Sequence, residues 1–325
     1  MTTIICSENY LSIDTLTLTS IKIDGSNMTN DMINVFLSKQ FPLLCDLDCS
    51  NTDITDIPII HTLISLDCFG CHSLCSIPEL PRLKNLLCNY CTRLNSIAIL
   101  PSLKTLICTD CCRIETIPEL PKLKTLDCRN CCNLYSIAVL PKLKELTCIN
   151  SSILTSIPIL PKLTFLDCSY TTNLNTIPIL PSLIRLICID SDLENIPRLP
   201  CLTTLICTAC PDLNIISDLP LLTELNCSGC FSLNSIPIFP LIIELYFNDC
   251  PNLSLYTVPL EFQDLNTIST ELIRQAVEYN IQNLDYIHTC LETNIYVDSR
   301  RKFLEELICS NILVKPANGY YKRFL

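Results

Sequence analysis

The residues with the most obvious capacity for chemistry are two C-x-x-C pairs, Cys88/Cys91 and Cys108/Cys111, separated by sixteen residues. Two such pairs at that distance are a strong metal signal in an isolated sequence, because four thiolates complete the tetrahedral shell of a structural zinc. The pairs are not isolated, however. They recur, and the recurrence decides what they do.

Written from each Leu-Pro joint, the chain gives PRLKNLLCNYCTRLNSIAIL (81–100), PSLKTLICTDCCRIETIPEL (101–120), PKLKTLDCRNCCNLYSIAVL (121–140) and PKLKELTCINSSILTSIPIL (141–160). The frame extends from residue 42 to residue 259 as eleven units of twenty residues, two of them one residue short (42–60 and 181–199). A fixed period of this length marks stacked supersecondary units, none of which can cover its own apolar face. Apolar residues fall at the third, sixth, eighth, fourteenth, seventeenth and twentieth places. Alternation over the sixth and eighth places predicts a short strand with one buried face. The I-P-x-L-P element on the return side removes backbone donors and favours extended geometry, so that side is expected to be polyproline-like or irregular and not helical.

Within this frame the thiols read as core. The eighth place is Cys in ten units (Cys49, Cys68, Cys88, Cys108, Cys128, Cys148, Cys168, Cys188, Cys207 and Cys227) and Phe247 in the last. A position that accepts Phe is an apolar filler, and reduced Cys is among the most buried residue types. At the eleventh place Ser151, Thr171 and Ser191 stand in for Cys. Hydroxyls replace a thiol in a hydrogen bond but not a thiolate on zinc, so this row is expected to bond the backbone where each strand leaves the sheet. No metal ligand set and no cofactor are assigned. The adjacent pairs Cys111–Cys112 and Cys131–Cys132 direct their second member outward, where it is open to reaction.

The unit P-x-L-x-x-L-x-C-x-x-C-x-x-L-x-x-I-P-x-L resembles the leucine-rich repeat, in the variant with Cys in place of Asn after the strand. Its LP joints are similar to the short repeats of secreted bacterial effectors, and its Ile, Asn and Cys richness is similar to leucine-rich repeat proteins of giant amoebal DNA viruses. The resemblance implies a curved α/β-class solenoid with short parallel strands on a concave face, and a protein-binding scaffold as its use. It covers residues 42–259. Residues 1–41 read as an N-terminal cap, with alternating LTLTSIKID as a degenerate strand and a helix beginning near Asn30. Residues 260–325 read as a helical C-terminal cap or small module, with Ser269 and Thr270 as candidate N-caps and a second helix behind Asp298.

Charge is segregated along the repeats. The whole chain carries −11, yet residues 81–165 hold eleven Lys and Arg against five Asp and Glu, a local net of +6, which leaves −17 for the remainder. At the outward fourth place Lys84, Lys104, Lys124 and Lys144 form a column in register, with Arg129 and Asp127 beside it, Tyr90 and Tyr170 along it and Arg185 further on. Arg82, Lys122, Lys142 and Lys162 add charge at the second place. A focused positive patch on an acidic protein steers an acidic partner. The candidate partner is therefore an acidic or phosphorylated protein segment. Nucleic acid is disfavoured by the overall charge and the few aromatics. A second candidate surface is apolar: Phe165, Ile184, Ile187, Ile189, Ile206 and Tyr246.

The start MTTIICSENY lacks the basic stretch and apolar run of a secretory signal, so the thiols are expected to be reduced, in an intracellular compartment such as a cytoplasm, a host's included. No apolar run reaches the ~18 residues of a spanning helix, and a membrane role is not expected. For catalysis, His288 and Cys290 are two residues apart, a spacing that points them differently on a helix. The tail, about 65 residues, is too short for the cysteine ubiquitin-ligase domain that the resembled effectors can carry. Three functions stay in play: a non-enzymatic scaffold, an adaptor or enzyme-like effector acting through its C-terminal helices, and a metal- or redox-responsive cysteine-rich protein.

Overall fold

The computed structural model describes residues 2–25, 28–237 and 239–253, together with two antiparallel two-residue strands, Leu313–Val314 and Lys322–Arg323. The helices expected beyond residue 259, with Cys290, Cys309 and His288, lie outside the described residues. The chain divides into two compact units, residues 1–183 and 184–325.

Within each unit the described residues of the repeats fold as successive coils of a parallel-strand solenoid. In the first unit the strands Asp46–Asp48, Ser65–Asp67, Asn85–Leu87, Thr105–Ile107, Thr125–Asp127, Glu145–Thr147 and Phe165–Asp167 pair in parallel at constant register, Leu86 on Leu106 and Leu126 on Leu146. In the second unit Arg185–Ile187, Thr204–Ile206, Glu224–Asn226 and Glu244–Tyr246 do the same, Leu186 on Leu205 and Leu225 on Leu245. The strands occupy the fifth to seventh places, and the ladder outruns them. The fourth-place carbonyl of one coil accepts from two N–H groups of the next, as Lys104 O does from Lys124 and Thr125, and eighth- and tenth-place amides donate onward. Side chains at the third, sixth, eighth, eleventh, fourteenth, seventeenth and twentieth places are buried in coil after coil, for example Leu123, Leu126, Cys128, Cys131, Leu134, Ile137 and Leu140.

Two turns close each coil. Pro at the first place sits at the second position of a turn whose ends are tied, as by Leu83 N–H to Leu80 O at 3.1 Å, and its fixed φ suits that position. The second turn follows the strand and is entered through a left-handed residue at the tenth place. All eleven coils show it, from Asn51 at φ 55° through Gly70 at 67° to Asp249 at 56°. A Cβ at Gly70 would lie 2.7 Å from the Asn51 side-chain oxygen, so glycine there avoids both the cost of a left-handed backbone and a shift of the Asn51 side chain.

The return side is not helical among the described residues, but neither is it uniformly irregular. Two-residue strands at the sixteenth and seventeenth places pair coil to coil: Ser76–Ile77 with Ser96–Ile97, Thr116–Ile117 with Ser136–Ile137, and Asn195–Ile196 with Ile215–Ile216. The reason lies at the eighteenth place. Ala98, Ala138 and Ser217 each donate a backbone bond of 3.0 Å to the preceding coil, whereas Pro78, Pro118, Pro158, Pro178 and Pro197 have no N–H to give. Pro therefore interrupts the return-side pairing, and Ala or Ser permits it.

The N-terminal residues extend the first unit's sheet. Ser20–Ile23 falls inside the expected alternating stretch and pairs with Asp46–Asp48, while Thr3–Ile5, not foreseen, pairs with Ser20–Ile23. The helix Asn30–Leu37 begins where expected, with Thr29 Oγ1 accepting from Met32 N–H at 3.4 Å and Asp31 in the first turn. It buries Ile33, Phe36 and Leu37.

Candidate functional site

The outward places of the strand face carry the candidate site, and its central feature is the lysine column. Lys104 N–H donates to Lys84 O at 2.7 Å, Lys124 N–H to Lys104 O at 2.8 Å and Lys144 N–H to Lys124 O at 2.8 Å, so the four residues occupy consecutive coils at a spacing of about 4.8 Å. All four side chains are exposed, and among the described residues none of their ammonium groups enters an ion pair. Like charges stacked this closely repel one another, and a bound anion relieves that repulsion.

Arg129 and Asp127 behave differently. Residues two apart on a strand share a face, and here they satisfy each other: Arg129 Nη2 donates to Asp127 Oδ2 at 2.7 Å and Nε to Oδ1 at 2.9 Å. The hydrogen bond and charge of Asp127 push the guanidinium pKa up. The pair adds a polar fork to the face but no net positive charge. Tyr90 and Tyr170 are exposed at the tenth place, both at φ 59°, a backbone region uncommon for bulky side chains. Tyr90 packs edge-on against Phe69, with ring centroids 5.3 Å apart. Arg185 is exposed on the first strand of the second unit.

Ile184 is exposed, and Ile187, Ile189, Ile206 and Tyr246 are half-buried on the second unit, while half-buried Phe165 belongs to the first.

A feature the sequence reading did not find lies on the first coils. Asp46, Asp48 and Asp67 line a shallow groove with Thr2, Ser20 and Lys22. Lys22 Nζ donates to Asp48 Oδ2 at 2.8 Å. Burial pushes the Asp48 carboxyl up, but hydrogen bonds from Lys22 and Ser50 outweigh it and hold the group below its ordinary range. The strand face of the first unit thus changes sign along its length, acidic at Asp46–Asp67 and basic from Lys84 to Lys144.

The sulfur rows lie beneath this face. At the eleventh place Cys71, Cys91, Cys111 and Cys131 donate to the eighth-place carbonyls of the preceding coils at 2.9–3.1 Å; in the second unit Cys210, Cys230 and Cys250 do so at 2.8–3.0 Å. Hydroxyls reach less far. Ser151 Oγ stands 3.4 Å from Cys128 O, while Thr52, Thr171 and Ser191 turn to the eighth-place carbonyl of their own coil at 2.5–2.9 Å. The longer C–S bond lets cysteine make this coil-to-coil bond at a shorter distance than the Ser151 hydroxyl does. Burial pushes the Cys128 and Cys148 thiols well up, which keeps them protonated and unreactive. Seventeen of the 23 described cysteines are buried. Among the described residues no three His, Cys, Asp or Glu side chains converge so as to hold a metal ion, and no helix is long and apolar enough to cross a membrane.

No protein-family model matches the chain, nor does any curated protein. Among solved structures it is similar to a leucine-rich cell surface protein from Faecalibacterium prausnitzii A2-165, at 18% identity and a TM-score of 0.32, covering 68% of this chain and 74% of that one. It is also similar to a leucine-rich repeat protein from Bacteroides ovatus ATCC 8483, at 17% identity and a TM-score of 0.39, covering 73% and 72%. A third is YopM from Yersinia enterocolitica WA-314, at 21% identity and a TM-score of 0.34, covering 71% and 63%.

Proposed function

We propose that the chain is a non-enzymatic leucine-rich-repeat scaffold whose concave strand face docks an acidic or phosphorylated segment of another protein in a reducing, intracellular setting. One observation carries the reading: four exposed ammonium groups stand on consecutive coils with no intramolecular counter-ion among the described residues. An extended segment with carboxylates or phosphates along it would neutralise them in series. The acidic coils that precede the column repel the same ligand, so the sign change fixes where it lies and which partners are refused. Residues 1–41 serve as a cap, consistent with the apolar face that the helix Asn30–Leu37 buries, and residues 260–325 serve the other end.

The test is titration of the full chain with a fluorescent poly-glutamate peptide and with a multiply phosphorylated peptide, over a range of salt. Binding should weaken steeply with salt, and the combined change of Lys84, Lys104, Lys124 and Lys144 to Glu should lower affinity at least tenfold while the circular dichroism spectrum is retained. Equal affinity in that variant would overturn the reading.

A further inference from the structure

Cys112 and Cys132 occupy the twelfth place of two successive coils, and their Sγ atoms lie 3.7 Å apart. Both are exposed, unlike the eleventh-place thiols beside them. Each thiol approaches the same acceptor, the Asn130 carbonyl, at 3.5 Å. The coils are pinned just before this point by Asp110 N–H to Arg129 O at 2.9 Å and by Asn130 Nδ2 to Asp110 Oδ1 at 3.0 Å. The flanking coils place Thr92 and Ser152 at the same position, so at the twelfth place sulfur faces sulfur only between these two.

We propose that Cys112 and Cys132 form a surface dithiol that a peroxide oxidises reversibly to a disulfide bridging the two coils. The geometry permits it: successive coils are about 4.8 Å apart, inside the Cα separation of about 4.4–6.8 Å that a disulfide spans. The sulfurs must close from 3.7 Å to about 2.05 Å, which side-chain rotation supplies. The thiolate of Cys112 attacks one peroxide oxygen; an S–O bond forms, the O–O bond breaks, and hydroxide leaves and takes up a proton as water. The Cys132 sulfur, after losing its proton, attacks the Cys112 sulfenic acid; the S–S bond forms, the S–O bond breaks and a second water leaves. Two electrons pass from the thiols to the peroxide.

The order of attack follows from the surroundings. Partial burial and the hydrogen bond with Cys112 push the Cys132 thiol pKa up, which suits Cys132 to the second, resolving step. Metal chemistry fits less well. Two sulfurs are half of a zinc shell, and no third ligand joins them among the described residues. This inference goes beyond the scaffold reading and does not depend on it.

The experiment is peptide mapping of the full chain, reduced, desalted, treated with hydrogen peroxide and alkylated before trypsin. A linked peptide pair joining residues 112 and 132 is expected, lost on reduction, while Cys75, an exposed thiol without such a partner, remains open to alkylation. In Cys132→Ser the oxidised Cys112 should stop at the sulfenic acid and be trapped by dimedone. Phenylarsine oxide should bind one equivalent of the reduced chain, and either single serine variant should lose at least tenfold in affinity. Sulfinic acids or interchain disulfides at these positions without the intrachain link, undiminished arsenical binding in either variant, or one tightly held zinc protecting both thiols would each overturn the proposal.

Discussion

Cys111 and Cys112 are joined by one peptide bond and have opposite chemistry. Cys111 is fully buried and donates to the Cys88 carbonyl at 2.9 Å, whereas Cys112 is exposed with another sulfur 3.7 Å away. The same contrast holds between the inside and outside of every coil. Inside, each place is filled by nearly one residue type. Outside, the places vary, and the variation is grouped: carboxylates on the coils of Asp46 and Asp67, ammonium groups on those from Lys84 to Lys144. Place within the coil, and not residue type, sets the environment; repetition builds the scaffold and departures from it are free to carry recognition.

The sharpest way to break this contrast is to damage the inside. Leu126 is 1% exposed and stacks on Leu106 and Leu146. Leu126→Ala is expected to destabilise the chain by about 2–5 kcal/mol, read as a shift of the denaturant midpoint, whereas Lys124→Ala, two residues earlier and outward, should stay within about 0.5 kcal/mol. Equal effects would mean that inside and outside share the load. The eleventh place is a finer test of the same boundary. Cys131 donates to the Cys108 carbonyl at 3.1 Å from a fully buried position, so Cys131→Ala should cost about 1–2 kcal/mol through the lost donor. Cys131→Ser should recover part of that, by bonding its own coil as Ser191 does. A Ser variant no better than Ala would show that sulfur is there only for volume.

The inward places were legible in the sequence because the period locks them: once Cys, Ser, Thr and Phe are seen to exchange at fixed places, burial follows. Other features were present as signals but unread. Eight of the eleven tenth-place residues are Asn, Asp or Gly, the types that tolerate φ > 0; Tyr90, Tyr170 and Ala209 obscured the pattern. The exchange of Pro for Ala or Ser at the eighteenth place encoded which coils pair on the return side. The Asp127–Arg129 fork follows from their spacing of two on a strand. The Lys22–Asp48 bridge does not, since Lys22 precedes the repeat and no period fixes its register against Asp48. The lysine column was read directly, but its lack of ion-pair partners among the described residues needed the fold, because only the paired coils show which carboxylates are within reach.

The smallest expected effect is the most informative about the tenth place. Tyr90 and Tyr170 adopt φ 59°, a conformation that costs a residue with a Cβ about 1–2 kcal/mol and Asn less. Tyr90 recovers part of this through its edge-on contact with Phe69 at 5.3 Å, whereas among the described residues Tyr170 has no ring contact. Tyr170→Asn should therefore stabilise the chain by about 1 kcal/mol and Tyr90→Asn by about 0.5 kcal/mol, since an aromatic pair at an exposed site contributes about 0.5–1.5 kcal/mol. Stability measured by denaturant, set beside affinity for the acidic peptides, separates two explanations for keeping tyrosine at a strained turn. If stability rises while affinity falls, the rings are held for the partner, and the strain belongs to the docking face. If both variants are less stable than the parent, the tyrosines pack the turn itself, and the tenth place belongs with the inside of the coil.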